Sequence, residues 1–216
     1  MIKPILFNGS MVRTILAGQK TQTRRVIDFM QIAKQTGCTR GRLAWSTLLE
    51  GWAVFDGNGD ADLCEVKAPY AVGDVLWVRE TWAEIAGGGS AVYRATAERD
   101  EWEIGPSAKW CPSIHMPKWA CRLWLRVVDV RVERLQDITE ADAVAEGVSI
   151  ECRVDPKDCT MDVCQRENGC PLLNYIGGFA VLWDDLAKSG VRWADNPWVW
   201  VIQFERCEKP EGWPHA

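Results

Sequence analysis

The sequence predicts an α+β domain, in which short strands close into a small β-barrel flanked by two or three helices. Apolar and polar residues alternate over several short segments that are bounded by turn signals, as in antiparallel strands. The helical patterns fall between these strands without the regular spacing of βαβ units, which favours a closed barrel over a parallel sheet. A chain of 216 residues fits one domain with a sizeable insertion.

The first helix is predicted over residues 10–18, because its apolar residues recur near one face and Gly18 stands where a helix end favours a left-handed residue. Residues 19–26 are polar and rich in β-branched side chains, which is compatible with a strand. Successive side chains of a strand point to opposite faces, so Lys20 would lie on one side and Thr23 on the other.

The remaining elements follow from the same two periodicities. Strands are predicted at 75–82, 91–95, 123–132 and 198–205, and a helix is predicted at 175–188. Another helix begins after Asp137, where Thr139 is suited to the N-cap and Asp142 supplies the acidic partner of a capping box. Gly147 ends this helix, and residues 209–216 are expected to form a tail.

Composition and charge exclude several classes of protein. Apolar residues make up 47% and charged residues 25%, which is the usual mixture of a globular protein. The net charge of −5 argues against a duplex DNA binder that works through a general excess of positive charge. The sequence shows neither an apolar stretch of the roughly 20 residues that cross a membrane nor a signal-peptide pattern. We therefore expect a cytoplasmic protein without a membrane partner.

Four segments resemble, in the same order, segments of the ASCH-domain family, whose fold is a PUA-like β-barrel. The first, Gly18-Gln19-Lys20-Thr21-Gln22-Thr23-Arg24-Arg25, matches the family signature Gly-x-Lys-Thr-x-Thr-x-Arg, and the others lie at 73–80, 135–146 and 198–204. Bacteriophage and prophage members share the Trp-Val-Arg-Glu-Thr-Trp and Asn-Pro-Trp-Val-Trp-Val segments. The resemblance implies one domain over 1–208, with a variable insertion at 28–63 and a Cys-rich insertion at 149–172.

The resemblance also implies a function that involves RNA or modified nucleosides. Some compact bacterial members of the family are amidohydrolases that deacetylate N4-acetylcytidine, using a Lys, a Thr three residues later and a Glu in a following helix. The matching residues here are Lys20, Thr23 and Glu146. Because the chain is much longer than those enzymes, the alternative is a non-catalytic RNA- or nucleotide-binding regulatory module of phage origin.

Amide hydrolysis sets physical demands on these three residues. A Thr hydroxyl is a weak nucleophile until a neighbouring base removes its proton. Lys20 can be that base only if its pKa falls far below the ordinary lysine value, which burial can cause. A nearby Glu146 opposes this fall, because a carboxylate favours the charged ammonium. The reaction requires no metal or cofactor. The alternative interpretation is a solvated surface Lys and an ordinary strand Thr.

Further candidates for substrate binding lie in the same motif and on a later strand. Arg25 could hold a phosphate or carboxylate through its planar guanidinium, or it could pair with a structural acid such as Asp74. The motif residue Thr21 is also a candidate. Arg79 and Glu80 are lesser candidates, for which a structural role is the simpler interpretation.

Four of the nine cysteines crowd one polar segment, at Cys152, Cys159, Cys164 and Cys170. Four thiolates can hold a structural zinc ion or, alternatively, an iron–sulfur cluster. A metal would stabilise a segment that has too few apolar residues to form its own core. The spacing lacks paired Cys-x-x-Cys motifs, so free thiols stay open as an alternative. The other cysteines are expected to be core or free thiols.

The 13 tryptophans have two interpretations, since large aromatic side chains serve both core packing and base stacking. The run at 118–126 interleaves basic and aromatic residues, which fits a nucleic-acid groove as well as a strand with one solvated face. His115 is expected to be structural.

Overall fold

The computed structural model describes residues 1–28, 42–46, 51–55, 64–85, 90–97, 109–148, 174–187 and 190–214. Its strands are β1 (Ile2–Leu6), β2 (Gln22–Val26), β3 (Arg42–Ser46), β4 (Gly51–Phe55), β5 (Cys64–Glu65), β6 (Val75–Arg79), β7 (Trp82–Glu84), β8 (Ala91–Tyr93), β9 (Trp124–Arg134) and β10 (Trp198–Cys207). Its helices are α1 (Gly9–Leu16), α2 (Glu140–Ala145) and α3 (Tyr175–Leu186). These elements confirm the α+β class that the sequence predicts.

A five-stranded sheet in the order β1–β6–β9–β10–β2 forms the centre of the fold. β1 and β6 run parallel, and the other neighbours are antiparallel. β10 pairs along its whole length with β9 and, on its other side, with the edge strand β2. A separate antiparallel sheet, β3–β4–β5, has its first two strands within the predicted variable insertion, 28–63, and its third strand directly after it.

β10 is buried on both faces, which explains why its sequence is an almost unbroken apolar run. Ile202 and its alternate neighbours face the larger core, together with residues of β1, α1 and β9. Val201 faces a second core, to which α2 and α3 contribute. Thr23 pairs with Ile202 and Arg24 with Val201, so these two adjacent β2 residues lie on opposite faces of the sheet.

The central sheet does not close into a barrel, contrary to the sequence prediction. Among the described residues, its hydrogen-bonded ladder ends at β1 on one side and at β2 on the other. A cavity of about 610 Å³ lies between these two edges. Across it, Arg25 Nη2 donates a hydrogen bond to Leu6 O at 2.8 Å. Paired strands lie about 4.8 Å apart, so an intervening cavity of this size is incompatible with backbone pairing there.

The strand predicted at 75–82 is divided in the structure. β6 ends at Arg79, and β7 begins at Trp82 in a separate pair with β8. The intervening Glu80 is buried, and its carboxylate accepts hydrogen bonds from Arg122 Nε and Nη2 at 2.8 and 2.9 Å. A buried carboxylate needs such a partner, and the chain leaves the central sheet at this ion pair.

The predicted helix signals are confirmed at α1 and α2. α1 ends before Gly18, which has φ +74°. At α2, Thr139 Oγ1 accepts from Asp142 N at 3.1 Å and Asp142 Oδ2 accepts from Thr139 N at 3.3 Å, which completes the predicted capping box. Gly147 follows with φ +82°. In the described part of the chain, no helix combines the length and apolar character needed to span a membrane.

The predicted tail is described as far as residue 214, and it is not simply a tail, because Trp213 is buried. It is 5% exposed and lies in a cluster with other tryptophans, its ring centroid 5.6 Å from that of Trp77 and 6.2 Å from that of Trp124. Its indole Nε1 donates to Lys118 O at 2.8 Å. Trp119 and Trp124 also belong to this cluster, so packing accounts for the aromatic residues of the 118–126 run.

Candidate active site

The segment between α1 and β2 is held against the C-terminal end of α2. Lys20 N donates to Thr14 O at 3.1 Å, and Thr21 N donates to Ala145 O at 2.8 Å. The second of these backbone bonds joins residues that are far apart in the sequence. They place Lys20 beside Glu146, the residue that caps α2.

Gly147 makes this close approach possible. A Cβ at Gly147 would lie 2.8 Å from Thr14 Oγ1 and 3.0 Å from Lys20 Cβ, closer than ordinary van der Waals contact. The positive φ of Gly147 is also one that L side chains disfavour. The glycine that ends α2 therefore serves the site as well as the helix.

Lys20 and Glu146 form a buried ion pair across 126 residues of sequence. Lys20 Nζ donates to Glu146 Oε2 at 2.8 Å and to the Glu146 backbone oxygen at 2.8 Å. Their exposed fractions are 2% and 4%. The interpretation of Lys20 as a solvated surface residue is therefore wrong.

The pKa of Lys20 is lowered from the ordinary lysine value. Burial is the main cause, since it penalises the charged ammonium, and the positive charges of Arg25 and Arg24 act in the same direction. Glu146 raises the pKa through its charge and its hydrogen bond, but it does not outweigh burial. Burial and Glu146 thus act on the pKa of Lys20 in opposite directions, and burial has the larger effect. Lys20 therefore loses its proton more readily than an ordinary lysine.

Lys20, Thr23 and Glu146 line one cavity of about 650 Å³ at the edge strand β2. Its opposite wall is apolar and comes from the face of α3 that carries Phe179 and Trp183. Thr23 is 3% exposed. Within the described residues, the hydrogen bonds of Lys20 go to Glu146 and none joins Lys20 to the Thr23 hydroxyl.

Arg24 belongs to the site, although no role was predicted for it from the sequence. Arg24 Nη1 donates to Glu146 Oε1 at 3.1 Å and Nη2 donates to Glu133 Oε2 at 3.0 Å. Arg131 binds the same Glu133 through Nε and binds Asp142 at 3.0 Å through Nη2. The sequence signal for this role was the adjacent pair Arg24-Arg25, because two successive residues of a predicted strand point to opposite faces.

Arg25 lies between the two cavities and lines both. Its guanidinium carbon is 5.5 Å from the centroid of Phe7, and burial is the main cause of its lowered pKa. The proposed pairing with Asp74 is wrong, because the Asp74 carboxylate binds Lys3 Nζ at 2.8 Å. Of the two predicted roles of Arg25, contact with a phosphate or carboxylate of a ligand is the one that stays a prediction.

The other substrate-binding candidates separate into different places. Thr21 is exposed and lines neither cavity. Arg79 lines the cavity between the sheet edges and donates to Ile114 O. Glu80 lines neither cavity and is bound by Arg122, so the structural interpretation fits it.

The four clustered cysteines, Cys152, Cys159, Cys164 and Cys170, lie outside the described residues. Elsewhere in the described ranges, no group of three or more His, Cys, Asp or Glu residues is arranged to hold a metal. Cys111, Cys121 and Cys207 are free thiols, as predicted. Burial raises the pKa of Cys121 to about 11, which leaves it protonated and unreactive at neutral pH.

Comparison with known proteins finds no matching family model and no matching curated protein. Two solved structures are similar to this one. Protein EF3133 from Enterococcus faecalis V583, of family model DUF984, has a TM-score of 0.40 and 10% identity over 96% of this chain and 76% of its own. An ASCH domain from Lactobacillus crispatus JV V101 has a TM-score of 0.35 and 11% identity over 95% and 79%. At these scores neither likeness carries an argument about function.

Proposed function

We propose that this chain binds a modified pyrimidine nucleoside in the 650 Å³ cavity and hydrolyses its N4-acyl amide. One observation carries the proposal: Lys20, Thr23 and Glu146 line the same cavity, and Lys20 is a buried amine with a lowered pKa. A buried amine with a lowered pKa in the same cavity as a hydroxyl supports nucleophilic hydrolysis. The apolar wall from α3 offers a surface for a base.

The reaction proceeds in two steps. In the first, the Thr23 hydroxyl oxygen attacks the acyl carbonyl carbon while its proton passes to the neutral Lys20 amine. The carbon–nitrogen bond then breaks, the exocyclic nitrogen takes this proton from the Lys20 ammonium, and the free nucleoside leaves. In the second step, water cleaves the acyl ester, which releases the carboxylic acid and restores the Thr23 hydroxyl.

The first step requires the Lys20 amine without its proton. Burial favours this form, because a charged ammonium is costly in a poorly solvated site. Glu146 Oε2 accepts a hydrogen bond from Lys20 Nζ at 2.8 Å and so holds the amine in place for the proton transfers.

The test incubates the protein with N4-acetylcytidine and measures the release of cytidine by chromatography. We expect turnover by the wild type and a loss of at least about 100-fold in Thr23→Val, since the hydroxyl is the attacking group. Thr21→Val is the matched control, because Thr21 is exposed and outside the cavity. Undiminished turnover in Thr23→Val or in Lys20→Met would refute the mechanism.

A second candidate function is a binding module for RNA or a nucleotide. It is favoured by the hydrogen bonds of Lys20, which are directed to Glu146 and not to Thr23. In that case Arg25 would hold a phosphate where the two cavities meet. Absence of turnover on every acyl nucleoside, together with RNA binding that Arg25→Gln weakens, would establish this function instead of hydrolysis.

A further inference from the structure

Arg24 is the most enclosed cation of the site. Its side chain is 0% exposed, and its guanidinium carbon lies 5.8 Å from the centroid of the Phe179 ring. Its Nε atom is buried and has no hydrogen-bond partner among the described residues. Burying a guanidinium this deeply carries a large desolvation penalty unless charged partners offset it. The positions of those partners therefore indicate the role of Arg24.

The two oxygens of the Glu146 carboxylate have separate partners. Oε1 accepts from Arg24 Nη1 at 3.1 Å, and Oε2 accepts from Lys20 Nζ at 2.8 Å. Because Arg24 belongs to one face of β2 and Lys20 approaches from the segment before the strand, the carboxylate is held from two directions. Its plane is therefore fixed, although Lys20 alone would satisfy only one oxygen.

A second layer holds Arg24 itself. Nη2 donates to Glu133 Oε2 at 3.0 Å and lies 3.6 Å from Asp142 Oδ2. Arg131 binds both of these acids from their other side. The acids are thus paired even without Arg24, so Arg24 is not needed to neutralise them. The contact that depends on Arg24 is the one to Glu146.

We propose that Arg24 is a positioning residue. It fixes the Glu146 carboxylate and weakens the stabilisation that this carboxylate gives to the Lys20 ammonium. The charged groups that face Lys20 are Glu146 from the end of α2 and Arg24 and Arg25 from β2. Thr14 of α1 and Phe7 face it without charge. A guanidinium on the far oxygen shares the negative charge of Glu146, which leaves less of that charge to stabilise the ammonium.

This inference deepens the proposed hydrolysis and rests on it for its catalytic meaning. Its test, however, needs no substrate. Nuclear magnetic resonance of lysine side chains labelled with ¹³C at Cε follows the titration of Lys20, and Lys20→Met identifies its signal. We expect Arg24→Gln to raise the pKa of Lys20 by about one unit, a tenfold tighter hold on the proton. Arg24→Lys keeps the charge but loses the fork, so a smaller upward shift is expected.

Arg122→Gln is the matched control. It removes an arginine from another buried carboxylate, Glu80, in a different part of the fold. A purely structural role for Arg24 predicts that Arg24→Gln and Arg122→Gln lower the melting temperature alike and leave the Lys20 titration unchanged. That result would overturn the proposal. If Arg24→Gln does not fold, Arg24→Lys decides, since an unshifted Lys20 titration there has the same meaning.

The pH profile of kcat/KM separates this proposal from the hydrolysis itself. With an active wild type, the rise of kcat/KM with pH should move to higher pH in Arg24→Gln, in parallel with the Lys20 titration. Wild-type protein without turnover on any N4-acyl cytidine would refute the hydrolysis while the titration still decides the role of Arg24. A profile that stays in place despite a shifted Lys20 titration would refute the catalytic part of the proposal.

Discussion

At the scale of single residues, the site depends on one amine that is held close to a carboxylate yet deprived of water. Lys20 and Glu146 are both almost fully buried, and each has a direct partner in the other. Burial lowers the pKa of Lys20 in spite of Glu146, because desolvation of the ammonium exceeds the attraction of one shared carboxylate. This balance has a consequence for stability that can be measured without knowledge of the substrate.

The free energy of unfolding should rise with pH in the alkaline range because of Lys20. A lysine whose pKa is lowered by folding reduces the free energy of unfolding while it is charged. This penalty is full below the folded-state pKa, where the ammonium itself must be buried. The penalty disappears as the pH approaches the ordinary lysine value of the unfolded chain. Urea denaturation between neutral and alkaline pH should therefore show the wild type gaining stability relative to Lys20→Met. A difference that is constant with pH would contradict a lowered pKa.

At the scale of elements, the decisive feature is the junction between the end of α2 and the segment that leads into β2. Thr21 N binds Ala145 O at 2.8 Å, and Gly147 leaves room for Thr14 and Lys20. A helix end, a turn and an edge strand thus meet at one point. The geometry of Lys20 and Glu146 is set by this junction and not by either element alone.

Gly147→Ala should be clearly more destabilising than Gly18→Ala. Both glycines have a positive φ, +82° and +74°, so both substitutions carry backbone strain of about 1 kcal/mol. At Gly18 a Cβ meets nothing within 4 Å, whereas at Gly147 it meets Thr14 and Lys20 at 2.8–3.0 Å. We expect overpacking to add roughly 1–3 kcal/mol in Gly147→Ala and to shift the titration of Lys20. Equal losses of stability by urea denaturation would show that the close approach has no energetic weight.

At the scale of the whole molecule, a five-stranded sheet is covered on both faces, and its two edges are separated by a cavity. The site lies at the edge strand β2, where residues of both faces reach the same space. A third core, which is aromatic, includes Trp213. The last described residues therefore contribute to the stability of the fold.

Trp213→Ala should lower the free energy of unfolding by about 3–5 kcal/mol, as truncation of a buried tryptophan usually does. Trp213→Phe keeps most of the contact with Trp77 and loses the bond from Nε1 to Lys118 O, so a smaller loss is expected. Thermal denaturation of the two variants measures both terms. Wild-type stability in Trp213→Ala would mean that residues 209–216 are the tail that the sequence predicts.

The sequence by itself determined the features that depend on near neighbours. The capping box of Thr139 and Asp142, the left-handed Gly18 and Gly147, and the alternating strand β9 all follow from chemistry within a few residues. The resemblance also pointed to Lys20, Thr23 and Glu146, which the structure brings to one cavity. Their catalytic roles stay predictions.

Only the tertiary structure decided which distant groups meet. The contact of Arg24 with Glu146 joins residues 122 positions apart, and no periodicity in the sequence reports such a contact. The open edge between β1 and β2 and the burial of Trp213 were likewise invisible, because both depend on how separate elements pack. Local chemistry selects helices, turns and strands, whereas burial and long-range ion pairs, which set the pKa of Lys20, arise only when the whole chain has folded.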